Sequence, residues 1–205
     1  MKHMKMFSLL AIAMVSTLVH AQAGNAAPAQ AAKPATAPPS IASSMDREVS
    51  IIEREFVSAA EAMPEDKYNF TPEGLNLQGS DYKGVRTFGE QVKHVAATNF
   101  GLWSAVTGEK PAYDVSDDEH GPASVKTKAE IIKFLKDSFE AGHKAAKSLS
   151  PQNSSETVKT FFGPTPKVFA VSFTVAHAFD HYGQMVEYLR MNGIIPPASR
   201  PQPQK

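Results

Sequence analysis

Residues 168–184 read Val168-Phe169-Ala170-Val171-Ser172-Phe173-Thr174-Val175-Ala176-His177-Ala178-Phe179-Asp180-His181-Tyr182-Gly183-Gln184. No charged side chain occurs from 168 to 179, and a helix without charge on any side is expected to be enclosed on every side. Projected at ~100° per residue, Val168, Val171, Val175, Phe179, Tyr182 and Val186 form one stripe. The roughly opposite side carries Ala170, Phe173, Thr174, His177, His181, Gln184 and Tyr188. His177 and His181 are four positions apart, so both rings project from one helical face and can reach a common ion. The H-x-x-x-H spacing alone is a weak signal. Its uncharged surroundings strengthen it, because enclosed imidazoles need partners for their ring nitrogens and a shared metal supplies them.

Three further amphipathic segments precede this one. Residues 45–62 place Met45, Val49, Ile52 and Phe56 at helical spacing behind Ser44 as a cap, with Met63-Pro64 as the stop. Thr87-Phe88-Gly89-Glu90 is a capping box opening a second helix, whose stripe is Phe88, Val92, Val95, Leu102, Trp103 and Val106 and whose end is Gly108. Thr127-Lys128-Ala129-Glu130 repeats the box before Ile131, Leu135, Phe139, Gly142 and Leu149. The fourth segment starts at Thr165-Pro166, cap and first-turn proline, and runs to Asn192, with Gly193 beyond. No stretch alternates long enough to indicate strands. The pattern predicts an all-α four-helix bundle, a fold that builds ligand sites from side chains on facing helices.

A third metal ligand would have to come from another helix. His94 sits on the shoulder of the second helix, beside Ala97, Thr98, Gly101 and Ala105, small residues that leave room for a close neighbour or a ligand. Two readings stand together: a ligand, or a boundary residue satisfied by water or a backbone carbonyl. Periodicity by itself favours the latter. His143, among Glu140, Lys144 and Lys147, reads as a surface residue, and His120 as part of a solvated acidic loop, residues 114–120. Asp180 is either a partner to an imidazole or an exposed acid. Gln184 and Tyr188 either orient a ligand or form a buried hydrogen-bonding pair. Arg190 falls off the histidine face.

The chain has 205 residues, 21 basic and 21 acidic, and no cysteine. Neutral charge argues against a nucleic-acid partner, and the lack of thiols excludes disulfides and cysteine chemistry. Serine-hydrolase elbows, phosphate-binding glycine loops and dinucleotide fingerprints are missing. Lys2 and Lys5, the apolar run 7–19 and Ala21-Gln22-Ala23 predict a signal peptide over residues 1–23, too short to span ~30 Å of hydrocarbon. The expectation is therefore an exported protein, periplasmic or secreted, without stable membrane insertion after cleavage. Residues 24–43 read as a disordered Ala/Pro-rich linker, 44–197 as the folded domain and 198–205 as a disordered tail.

Two sections resemble the DinB-like family: Gln91-Val92-Lys93-His94-Val95-Ala96-Ala97-Thr98-Asn99, and His177-Ala178-Phe179-Asp180-His181-Tyr182-Gly183-Gln184 continuing to Tyr188-Leu189-Arg190 and Gly193-Ile194-Ile195-Pro196-Pro197. Met63-Pro64-Glu65-Asp66-Lys67-Tyr68 also fits the family's loop after the first helix. The resemblance covers residues 44–197. It implies an up-up-down-down bundle, often a homodimer, holding a divalent metal, nickel or zinc, on His94, His177 and His181. Related members include thiol-dependent transferases and isomerases. The implied function is a metal-dependent hydrolase or thiol transferase acting on a small molecule; the alternative is a noncatalytic metal- or ligand-binding bundle. No residue is singled out as catalytic.

Overall fold

In the computed structural model, which describes residues 38–116 and 120–201, each of the first three helices has a local reason to start where it does. Helix α1, Ile41–Ala62, opens on a reciprocal cap between Ser40 and Ser43. It therefore begins upstream of the expected Met45, and residues 41–43, assigned to the linker, are helical. Two serines can satisfy each other's amide groups as a Ser/Glu pair does, a combination the usual motif does not contain. Helices α2, Phe88–Thr107, and α3, Lys128–Lys147, carry the capping boxes Thr87/Glu90 and Thr127/Glu130. The signal peptide, linker residues 24–37, the acidic positions 117–119 and tail residues 202–205 lie outside the described residues.

The start of the last helix differs from expectation. Thr165 and Pro166 belong to a short hairpin, β1 Thr157–Thr160 against β2 Gly163–Pro166, antiparallel with Val158 opposite Thr165. Strands this short, one of them Gly-Pro-Thr-Pro, carry no alternation to detect. Thr165 serves the hairpin, its hydroxyl 2.9 Å from that of Thr160. Helix α4 then runs Lys167–Met191. Its end is a Schellman turn: Ile194 N–H donates to Leu189 O and Gly193 N–H to Arg190 O, both at 2.9 Å. Gly193 has φ 72°, the left-handed conformation that this turn requires and glycine adopts freely.

Cross-helix contacts fix the directions. Lys128 Nζ, at the start of α3, donates to the carbonyls of Glu61 and Met63 at the end of α1, while His143 near the end of α3 meets Asp46 near the start of α1. Those two helices are antiparallel. Helices α2 and α3 run parallel, with Asn99 bonded to Ser138 and Trp103 against Gly142. Helix α4 runs opposite to α2, since Gln91 meets Gln184 and His94 meets His177. It runs with α1, whose trailing Lys67 reaches Asn192. Around the perimeter, in the order α4, α1, α3, α2, the directions are up, up, down, down. Along the chain they are up, down, down, up, because the connection between α2 and α3 returns the chain to the end it left.

The core fills the space between these helices. Val49, Ile52 and Phe56 meet Phe88, Val92, Val95 and Trp103, with Leu135 and Phe139 from α3 and Val171, Met185 and Leu189 from α4. Most stripe positions of α1–α3 are thus where periodicity puts them. Helix α4 is different. Its buried side combines members of both expected stripes, including Ala170, Val171, Thr174, Val175, His181 and Tyr188. Its outer side is open: Phe169 is 46% exposed and Phe179 41%. A bundle helix has neighbours on its inner side only, so absence of charge did not mean complete enclosure here. Among the described residues no helix is long and apolar enough to cross a membrane.

Candidate metal centre

Antiparallel packing of α2 on α4 brings His94 opposite His177 and His181. His94 Nε2 lies 3.1 Å from His177 Nε2, which lies 3.1 Å from His181 Nε2. One ring nitrogen from each of the three falls within 4.8 Å of the others. The rings meet edge to face, with centroids 4.5–5.0 Å apart. Two nitrogens bound to one ion at ~2.0–2.2 Å, with angles of about 90–109°, are separated by roughly 2.8–3.6 Å. The His94–His177 and His177–His181 separations match that span, and the chemistry of the donors suits a borderline divalent ion.

Electrostatics favours the ligand form. Burial pushes the His181 pKa down to about 3, helped by His177, His94 and the positive charge of Arg86. The ring therefore stays neutral, as a metal ligand must. His181 is 6% exposed, whereas His94 and His177 are half-buried. Phe173 stacks on His177 at 6.1 Å and touches Phe162 of the hairpin turn at 4.7 Å. Phe162 also meets Phe169. An aromatic wall thus flanks one side of the histidine cluster.

Gln91 is the partner that sequence reasoning overlooked. Its Oε1 accepts from His181 Nδ1 at 2.5 Å, and its Nε2 donates to Gln184 Oε1 at 2.9 Å. Gln184 Nε2 in turn donates to Asp180 Oδ2 at 3.3 Å. The available signal was position: Gln91 precedes His94 by one helical turn and is an uncharged polar residue on a buried helix. Of the other residues considered, Asp180 contacts Gln184 rather than an imidazole, and the Tyr188 hydroxyl donates to the carbonyl of Arg86 at 3.1 Å. Gln184 and Tyr188 are therefore not bonded to each other in the way a buried pair would be. His120 sits in an exposed turn. His143 is no simple surface residue, being half-buried between two carboxylates of α1.

Comparison with known proteins bears on the fold and the family. The chain is similar in fold to a protein of the DinB family from Exiguobacterium sibiricum 255-15, with TM-score 0.54 and 16% identity over 74% of this chain and 91% of that one. A DinB-like protein from Bacillus cereus ATCC 10987 gives TM-score 0.54 and 15% identity, covering 75% and 93%. No curated protein matches. At such identities the solved structures speak for the fold alone. The family model described as the DinB superfamily matches residues 49–185, a span containing His94, His177 and His181. With well over half of its length in that match, the chain belongs to the DinB superfamily.

Proposed function

We propose that this protein is an exported metalloenzyme that holds a divalent ion, nickel or zinc, on His94, His177 and His181 and acts on a small molecule by hydrolysis or thiol transfer. The observation that carries the proposal is the convergence of three histidines from two helices, with His177 Nε2 3.1 Å from the Nε2 atoms of both His94 and His181 and one ring nitrogen of each within 4.8 Å of the others. Three neutral imidazoles leave coordination positions for a substrate, as catalytic rather than structural sites do. The ion, when bound, supplies Lewis acidity to a water, a thiol or a carbonyl. The chain's own residues do the rest. Gln91 holds the proton of His181 on Nδ1, Arg86 adds positive charge near the cluster, and Phe173 shields one side of His177. Export rests on the basic, apolar and Ala-x-Ala order of residues 1–23. The implied partners are a small-molecule substrate and a second copy of the chain, with no nucleic acid, in keeping with equal numbers of basic and acidic residues.

The test is metal analysis of protein purified without an affinity tag, followed by assays with thiol acceptors and simple esters or amides. The expected result is near-stoichiometric metal, lost in His177→Ala, and turnover that disappears with it. Metal-bound protein inert across those substrates would turn the assignment to a noncatalytic binding protein. Protein that takes up no metal would overturn it.

A further inference from the structure

Asp180, Gln184 and Gln91 form a chain of hydrogen bonds from an exposed carboxylate to the most buried imidazole of the cluster. We infer that this chain works as a directional lock: the Asp180 carboxylate, acting through two amides, selects the His181 tautomer whose Nε2 lone pair faces His94 and His177. These three are positioning residues. Their bearing on a metal rests on the function proposed above; their bearing on the tautomer does not.

The direction follows from donor and acceptor inventories. A carboxylate only accepts, so Gln184 must turn its NH2 toward Asp180, leaving its carbonyl to face Gln91. That carbonyl also only accepts, so Gln91 must present its NH2 to Gln184 and its own carbonyl to His181. The imidazole nitrogen facing a carbonyl must carry the hydrogen. Nδ1 is therefore protonated, and Nε2 keeps its lone pair for the shared point. Reversing either amide sets two acceptors against each other beside Asp180 or between the glutamines. Gln91 is 3% exposed, so water cannot readily substitute for a lost partner there. The Tyr188 hydroxyl, which donates to the Arg86 carbonyl, also hydrogen-bonds Gln91, and its oxygen accepts from the same Gln91 NH2 that faces Gln184, so it favours the same amide orientation. A hydrogen bond that orients a ligating histidine and fixes its tautomer typically changes metal affinity by about 10–100-fold when removed.

The test uses the full mature chain, metal-free, with 15N-labelled histidine, and reads the protonated ring nitrogen of His181 from its nitrogen shifts and long-range couplings. Zinc affinity is then measured by competition with a chelator. The expected spectrum of the unaltered protein is the Nδ1–H form. Asp180→Ala and Gln184→Leu, both at exposed positions that the core does not need, should shift His181 toward a mixture with the Nε2–H form. They should also weaken zinc binding by about 10-fold. Gln91→Leu should do both more strongly, and Gln91→Glu, which keeps an acceptor against Nδ1, should restore the Nδ1–H form. His181 found in the Nε2–H form, or a tautomer unmoved by all of these substitutions, would overturn the inference. The Nδ1–H form in a protein that binds no zinc would support the lock and reject the metal reading alone.

Discussion

Gly142 of α3 lies so close under Trp103 of α2 that a Cβ at position 142 would sit 2.6 Å from the indole ring. The indole is fully buried and cannot swing aside. The absence of a side chain at 142 is therefore what allows the two parallel helices to approach. Gly142→Ala should destabilise the protein by about 1–2 kcal/mol, an overpacking cost of roughly 1–3 kcal/mol offset in part by better helix propensity. Thermal unfolding should show a fall in Tm of several degrees, at ~2–4 °C per kcal/mol for a chain of this size. An unchanged or raised Tm would mean that the helices can separate freely.

His143 ties α3 to α1, with Nδ1 2.6 Å from Asp46 and Nε2 3.0 Å from Glu53. Burial alone would lower its pKa, but the hydrogen bonds and charges of Glu53 and Asp46 outweigh that and raise it. The sign follows. A histidine whose folded pKa exceeds its unfolded value of ~6.5 adds stability in full below that pH, and the stability is lost as pH rises through the folded pKa. Lys147 also approaches Asp46, at 3.4 Å, and shares its charge. Denaturant unfolding of the metal-free protein should therefore lose on the order of 1 kcal/mol on the alkaline side, and His143→Gln should remove that slope.

His181 predicts the opposite dependence. Its folded pKa is pushed down to about 3, first by burial and then by the neighbouring histidines and Arg86. The neutral ring is compatible with the fold and the protonated ring is not, so metal-free protein should lose stability as pH falls below ~6.5 toward the folded pKa. Metal uptake should weaken over the same range because protons compete for Nε2. Unfolding free energy measured between pH 7 and 4 checks the first point, and chelator competition the second. A His181→Gln variant that keeps the full acid-side slope would contradict the assignment to this ring.

What was legible in the sequence follows from the range of the forces involved. The capping boxes Thr87/Glu90 and Thr127/Glu130 are local and were readable as written. So were the stripes of α1 to α3, because one face of each helix meets the core. The Ser40/Ser43 cap escaped because it uses a pairing outside the usual motif. The hairpin escaped because its four-residue strands, one of them Gly-Pro-Thr-Pro, are too short to show alternation. Helix α4 misled through its lack of charge, which described composition rather than burial at Phe169 and Phe179. His177 and His181 were visible from spacing, whereas the role of His94 depended on a helix 83 positions away. Gln91 and His143 act through partners at separations of 90 and 97 positions, which no local pattern encodes.

The most direct test of the account is X-ray absorption at the metal edge of the untagged protein reconstituted with nickel or zinc, compared with His94→Ala. The account predicts one ion per chain with three imidazole nitrogens at about 2.0–2.2 Å, and one fewer in the variant. An ion held by oxygen ligands alone, or a spectrum unaltered by loss of His94, would contradict it.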